Sequence, residues 1–313
     1  MHRTNEPQPP TGTGAPASRL RIGSAPDSWG VWFPDDRRQV GWSRFLDEVA
    51  EAGYAWIELG PYGYLPTDPV RLRDETARRG LSVSAGTVFT GLHRGEAVWE
   101  ETWAHVAEVA ELTREAGAGY LVAIPAFWRD DKTGEVLEDR ELTPAAWRDL
   151  ARLTERLARR VREEYGLRTV LHPHADTHVD TEEHVVRLLD TTDPGLVELC
   201  LDTGHYAYCG GDSVRLIETY GERLGYLHLK QVDPEVLARV RAEDLPFGPA
   251  VARGVMCEPP LGVPALEPVL AAAKPLGVDL FAIVEQDMYP CPPDRPLPVA
   301  RRTRALLESY LDG

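Results

Sequence analysis

The chain of 313 residues predicts an α/β fold, a single-domain closed (β/α)8 barrel, on three observations. From Leu20 onward, short apolar runs alternate about eight times with longer amphipathic stretches. Parallel strands need a crossover between neighbours, and a helix is the usual one, so this alternation reads as a parallel sheet. Four of the apolar runs finish on side chains that ligate metals, and a closed parallel barrel brings the ends of all its strands around one pocket. The length also suits one barrel, which commonly runs to about 250 residues or more. A doubly wound sheet is the competing architecture, but it does not normally need eight such units or gather ligands from strands so distant in order.

The first unit is LRIGSA followed by WSRFLDEVAEAG, in which Phe45, Leu46, Val49 and Ala50 fall at helical spacing. Next come YAWIELG with PVRLRDETARRG, LSVSAGTVF with AVWEETWAHVAEVAELTREAG, and GYLVAIPAF with PAAWRDLARLTERLARRVREEYG. These four helices stop at Gly53, Gly80, Gly117 and Gly166, the residue type that most readily takes the left-handed conformation closing a helix. The second half repeats the pattern with RTVLHPH, VELCLDTGH, RLGYLHLK and DLFAIVEQ, separated by TEEHVVRLLD, SVRLIETYG and VPALEPVLAAAKPLG, and PVARRTRALLESYL closes the chain. The charge-rich helix LTERLARRVREEYG reads as a solvated barrel face. Between Lys230 and Val263 the connection is too long for a simple turn and carries an expected short helix from Pro234 to Ala242. Long loops on the active face of a barrel serve as lids or substrate walls, so Arg253 and Glu258 within it are expected to face a substrate.

Residues 1–19, rich in Pro, Gly and Thr, read as a disordered tail, leaving 20–313 as the barrel domain. The tail lacks the apolar core of a signal peptide, and no stretch approaches the roughly 20 apolar residues of a membrane span. A cytoplasmic protein with no membrane partner is the expectation. A net charge of −16 argues against nucleic acid, because neutralising phosphates takes clustered Lys and Arg. Cys200, Cys209, Cys257 and Cys291 show no paired spacing, as expected of reduced thiols.

The chemistry gathers at strand ends: His172 and His174 in TVLHPH, Asp202 and His205 in LDTGH, His228 and Lys230 in LHLK, and Glu285 in VEQD. Alternation along a strand puts His172 with His174, His228 with Lys230, and Glu285 with Asp287 on common sides. A carboxylate closing an apolar strand is costly unless neutralised, and one bound cation would account for both Asp202 and Glu285. The imidazole and carboxylate mixture suits Mn²⁺, Co²⁺ or Zn²⁺, and the absence of Cys pairs argues against a structural zinc. Glu58, ending WIELG, is a candidate for the pocket floor, a substrate hydroxyl or an internal salt bridge. Trp29 and Trp32 in PDSWGVW are candidates for an aromatic wall against a sugar-like ring or for packing. His93, His105, His178 and His184 have no partner legible in the sequence and read as surface or structural histidines.

HPHADTHVDTEEHV, LDTGHYAYCGGD and HLK resemble the myo-inosose (2-keto-myo-inositol) dehydratase branch of the xylose-isomerase-like TIM-barrel superfamily of sugar isomerases, epimerases and dehydratases, and ELGPYGYLP is a weaker likeness. The resemblance runs from the first strand to the last. It implies a divalent metal on Asp202, His228 and Glu285, with His172 standing where related epimerases carry Glu and with His172, His174 or water as fourth ligand. Gln231 departs from the Asp usual in the branch. The implied reaction removes a proton beside a carbonyl of a sugar or cyclitol ketone, which calls for a Lewis acid and a positioned base. Glu285, His172 or His174 would take the proton and Lys230 or His205 would return one. Dehydration is the leading outcome. A ketose isomerase or epimerase and a 3-keto-glycoside β-lyase are its rivals, and homo-oligomers are common in the superfamily. Its DNA-repair endonuclease branch is disfavoured by the acidic charge.

Overall fold

A computed structural model of the chain describes residues 19–311, so the expected tail lies, apart from Arg19, outside the described residues. The barrel strands are β1 (Leu20–Ser24), β2 (Trp56–Glu58), β3 (Ser82–Thr90), β4 (Tyr120–Pro125), β5 (Arg168–Leu171), β6 (Val197–Asp202) and β7 (Leu224–Leu229). Two short strands in the long connection, β8 (Gln231–Val232) and β9 (Met256–Cys257), precede the last barrel strand, β10 (Leu280–Val284). The barrel closes in the order β1-β10-β7-β6-β5-β4-β3-β2, and each pair is parallel.

Strand alternation divides the core into two. Leu121, Ala123, Leu199, Leu201, Leu227 and Leu229 face outward into the layer between strands and helices. Tyr120, Val122, Val170, Cys200, Tyr226, Phe281 and Ile283 form a separate inner cluster. Each inner series, continued by two residues, arrives at a polar side chain: Val170 at His172, Cys200 at Asp202, Tyr226 at His228, and Ile283 at Glu285. The candidate ligands are therefore the top layer of a barrel whose lower layers are apolar and aromatic. The register puts Asp202 beside His228 on the adjacent strand.

The helices follow the expected stretches. The helix Pro144–Tyr165 is capped by Thr143, whose hydroxyl accepts from Ala146 N–H at 3.2 Å, and it closes at Gly166 with φ 71°. The expected helix Pro234–Ala242 forms, with Asp233 accepting from Glu235 and Val236 N–H at its start. The long connection holds more than that helix: a second one, Phe247–Ala252, and the antiparallel β8/β9 ribbon. Among the described residues no helix is long and apolar enough to cross a membrane.

Candidate active site and metal centre

His172, Asp202, His228 and Glu285 each offer one ligand atom, and these atoms all lie within 4.8 Å of one another. All four residues are buried. Asp202 ends β6 and caps the helix Thr203–Tyr208: its Oδ1 accepts from Gly204 N–H at 2.8 Å and His205 N–H at 2.7 Å, which leaves Oδ2 turned to the site. Gly204 is required here for space, since a Cβ would stand 2.5 Å from Lys230 Cγ.

His228 carries the most informative geometry. Its Nε2 lies 2.6 Å from Glu58 Oε1, so the Nε2–H donates to that carboxylate. The opposite nitrogen, Nδ1, then faces Glu285 Oε2 at 3.1 Å and Asp202 Oδ2 at 3.7 Å. His228 Nδ1 and His172 Nδ1 are buried without a hydrogen-bond partner, and Asp202 Oδ2 makes no hydrogen bond beyond its ion pair with Lys230. Unpaired buried acceptors are expensive, and a carboxylate holding the far nitrogen of a histidine is the usual brace of a metal-ligating imidazole. Donor chemistry and geometry thus fit a divalent cation. Burial works against charge on His228, yet Cys200, Glu285 and Glu58 raise its pKa well above the ordinary value. The surrounding acids demand a positive charge at this spot.

Lys230 supplies part of it. Its Nζ lies 2.8 Å from Asp287 Oδ2, 3.1 Å from Glu285 Oε2 and 3.2 Å from Asp202 Oδ2. Against burial, those carboxylates hold its pKa well above normal. Burial pushes Asp202 up, but the charge of Lys230 and the nearby rings of His205, His172 and His228 bring it well below the usual carboxylate range. Glu285 is likewise lowered, by His228 and Lys230 against burial. Unlike His228, His174 and His205 are lowered, by burial and a neighbouring histidine, His174 to about 3. Their rings meet at a tilt of 35°, with centroids 3.7 Å apart. His174 Nδ1–H donates to the Ala175 carbonyl at 2.8 Å, so its Nε2 keeps a lone pair.

Above this floor is a cavity of about 450 Å³ that includes His172, His174, His205, His228, Lys230, Glu285 and Trp32 in its wall. Trp32 stacks on Tyr289 at 5.1 Å and donates its indole N–H to Asp287 at 3.1 Å. Other expectations need correction. Trp29 is fully buried, donating to Glu48 at 2.8 Å and meeting Phe45 edge-on, because the tight turn after β1 aims it into the helix layer. Arg253 pairs with Glu243 at 2.5 Å and Glu258 with Arg302 at 2.6 and 2.8 Å, so both face away from the cavity. Glu58 does not line the cavity; of its expected roles the internal pair is the one seen, with His228 above it at 2.6 Å, and it also accepts from Thr87 at 3.2 Å. Gln231 ties the connection together, donating to the Pro264 carbonyl at 2.6 Å and accepting from Gly262 N–H.

Of the four lone histidines, three have the partners of structural residues and one has a different place. His93 and His178 are buried against Glu138, His184 pairs with Asp180, and His105 borders the cavity. Asp27, just past β1, lines the cavity unforeseen; burial, Glu285 and Asp287 push its pKa well up. An acid directly after an apolar strand was its available signal. Phe89 of β3, Phe127 and Phe247 at the start of its helix also line the wall, and an isolated aromatic gives no such signal.

A parallel barrel with a His, Asp, His and Glu cluster at its mouth defines a class of sugar-converting enzymes. The chain belongs to the xylose isomerase-like TIM barrel family, whose profile it matches over residues 46–309. It is 33% identical to the inosose dehydratase of Geobacillus kaustophilus (strain HTA426) over 282 residues, 87% of this chain and 88% of that protein. It is 30% identical to the rhizopine catabolism protein MocC of Rhizobium meliloti, with 83% and 80% covered. In fold it is similar to the IolI protein crystallised with a zinc atom, with a TM-score of 0.70 at 17% identity, covering 93% of this chain and 99% of that one. D-allulose 3-epimerase from Methylomonas sp., solved with D-allulose, gives 0.68 at 14%, covering 94% and 98%.

Proposed function

We propose that the chain is a divalent-metal-dependent hydro-lyase that removes water from an inosose-type cyclic polyol ketone. The observation that carries this is the convergence of four ligand atoms within 4.8 Å, under a cavity that also holds Lys230, His174 and His205. Relatives named inosose dehydratase, 25 to 33% identical over most of the chain, support the substrate class.

His172 Nε2 or Nδ1, Asp202 Oδ2, His228 Nδ1 and a Glu285 oxygen would hold the ion. His172 is the fourth ligand in this reading, and His174, committed to the Ala175 carbonyl through one nitrogen, stays free of it. Bound there, Mn²⁺, Co²⁺ or Zn²⁺ supplies Lewis acidity toward a carbonyl and its neighbouring hydroxyl, lowering the pKa of the adjacent C–H. His174 Nε2, neutral and uncommitted, takes the proton from that carbon. Lys230, charged and within reach of the cavity, hydrogen-bonds the developing oxyanion or delivers a proton to the departing hydroxyl. Trp32 covers one side of the cavity and keeps water from it.

The test is to incubate the purified chain with 2-keto-myo-inositol and Mn²⁺ and follow the ultraviolet absorbance of the dehydrated dione. Metal-dependent growth of that band is expected. No band at high enzyme concentration, with a stereoisomeric ketone as product instead, would replace the lyase by an epimerase.

A further inference from the structure

A second His and carboxylate cluster stands apart from the metal centre. His93 lies in the 3-10 turn Leu92–Val98 after β3, Glu138 in the connection after β4, and His178 in the connection after β5. Three successive connections thus each send one metal-ligating side chain to one point, and the three offered atoms lie within 4.8 Å of one another. His93 is 6% exposed and His178 1%.

The hydrogen bonds leave one atom unaccounted for. His178 Nδ1 lies 3.1 Å from the Arg140 carbonyl oxygen, which can only accept, so Nδ1 carries the proton. In the neutral ring, Nε2 is then a lone pair, and it points at Glu138 Oε2 from 3.3 Å. That same oxygen is already 2.5 Å from His93 Nε2. Arg94 holds the other carboxylate oxygen at 2.5 Å, which turns Oε2 toward the two rings. A buried imidazole lone pair facing a carboxylate lone pair is repulsive unless a cation lies between them or the ring takes a second proton at a desolvation cost.

We infer that His93, Glu138 and His178 form a second divalent-cation site, of the open three-ligand type that zinc adopts with two His and one Glu. Tetrahedral bonds of about 2.0–2.1 Å set neighbouring ligand atoms roughly 3.3 Å apart. His178 and Glu138 already have that spacing at 3.3 Å, whereas His93 and Glu138, at 2.5 Å, hold a hydrogen bond that opens when the ion enters. The Arg140 carbonyl on the far nitrogen of His178 is the brace expected of a ligating histidine. Burial and His178 lower the pKa of His93 against the pull of Glu138, which favours the neutral, ligating form.

The place suggests the purpose. His178 N–H donates to the Ala126 carbonyl, Trp128 N–H to that of Asp176, and His174 N–H to that of Val179. The segment carrying His174 is thereby stitched to the one carrying Phe127, and both line the cavity. An ion at this point clamps the three connections forming that wall.

Metal content decides the matter. The full chain is loaded with Zn²⁺, desalted, and its zinc per chain measured by plasma mass spectrometry. Two equivalents are expected for the native chain and one each for Glu138→Gln, His178→Gln and Asp202→Asn, with none in the Asp202→Asn/Glu138→Gln double variant. Circular dichroism establishes that each variant is folded; a second-site substitution that unfolds the chain is replaced in the comparison by His93→Gln, and Asp202→Asn, should it unfold, by Glu285→Gln. Cobalt in Asp202→Asn should show the intense visible bands of a four-coordinate ion. One equivalent in the native chain together with none in folded Asp202→Asn overturns the proposal, as does an imidazolium His178 in the nitrogen NMR spectrum of the zinc-saturated protein.

Discussion

His172, Asp202, His228 and Glu285 stand at or one step beyond the ends of barrel strands, whereas His93, Glu138 and His178 stand on the connections that follow. The first group is positioned by the barrel ladder: Asp202 and His228 are register partners, and Glu285 N–H donates to the Leu229 carbonyl at 3.2 Å. The second is positioned by turns, a carbonyl from Arg140 and an ion pair with Arg94. A ladder fixes geometry before any ligand arrives, while connections depend on their own side chains to hold shape. Strand-borne residues should therefore govern chemistry, and residues farther out on the connections should govern stability or nothing measurable.

Replacing Asp202 with Asn is the most severe test of that division. It removes a ligand atom and leaves Lys230 and His228 short of a counter-charge, so kcat/KM should fall by about 10³-fold or more, with metal content dropping in parallel. Retention of both would show that the strand ends are not the centre. Glu58→Gln leaves every proposed ligand in place and weakens only the brace on His228; metal affinity should fall by about 10- to 100-fold, read by competition with a chelator. An unchanged affinity would reduce Glu58 to packing.

On the long connection, Gln231→Asp should bring no gain in rate, although the resemblance favours Asp there. A carboxylate cannot donate to the half-buried Pro264 carbonyl, and losing that hydrogen bond should cost about 0.5–1.5 kcal/mol in denaturant unfolding. A faster Asp variant would move this residue into the chemistry. Arg253→Ala and Glu258→Ala, which break exposed pairs with Glu243 and Arg302, should each change stability by no more than about 1 kcal/mol and leave KM within about twofold. A tenfold rise in KM for either would mean that the connection folds over the substrate.

The strand-borne group was legible because a strand has a period of two and a barrel has one interior: an acid or histidine continuing an inward apolar series can only end in the mouth. Asp27, on the 3-10 turn Pro26–Trp29 that follows β1, lies beyond the reach of that rule. Trp29 and Trp32 show its limit. Three residues apart on a turn, one packs on Phe45 and the other borders the cavity, and no periodicity governs a turn. Glu58 lay between the two cases, being inward as expected yet covered by His228.

By itself the sequence determined the alternation of strands and helices, the inward series of each strand, and the ligand types at the ends of β5, β6, β7 and β10, because these follow from local periodicity and side-chain chemistry. Tertiary structure alone decided that His172 joins the cluster while His174 faces Ala175 and His205, that Glu58 braces His228, and that His93, Glu138 and His178 meet. Those outcomes depend on distances between connections separated by whole helices, and the path of a connection is set by what it packs against.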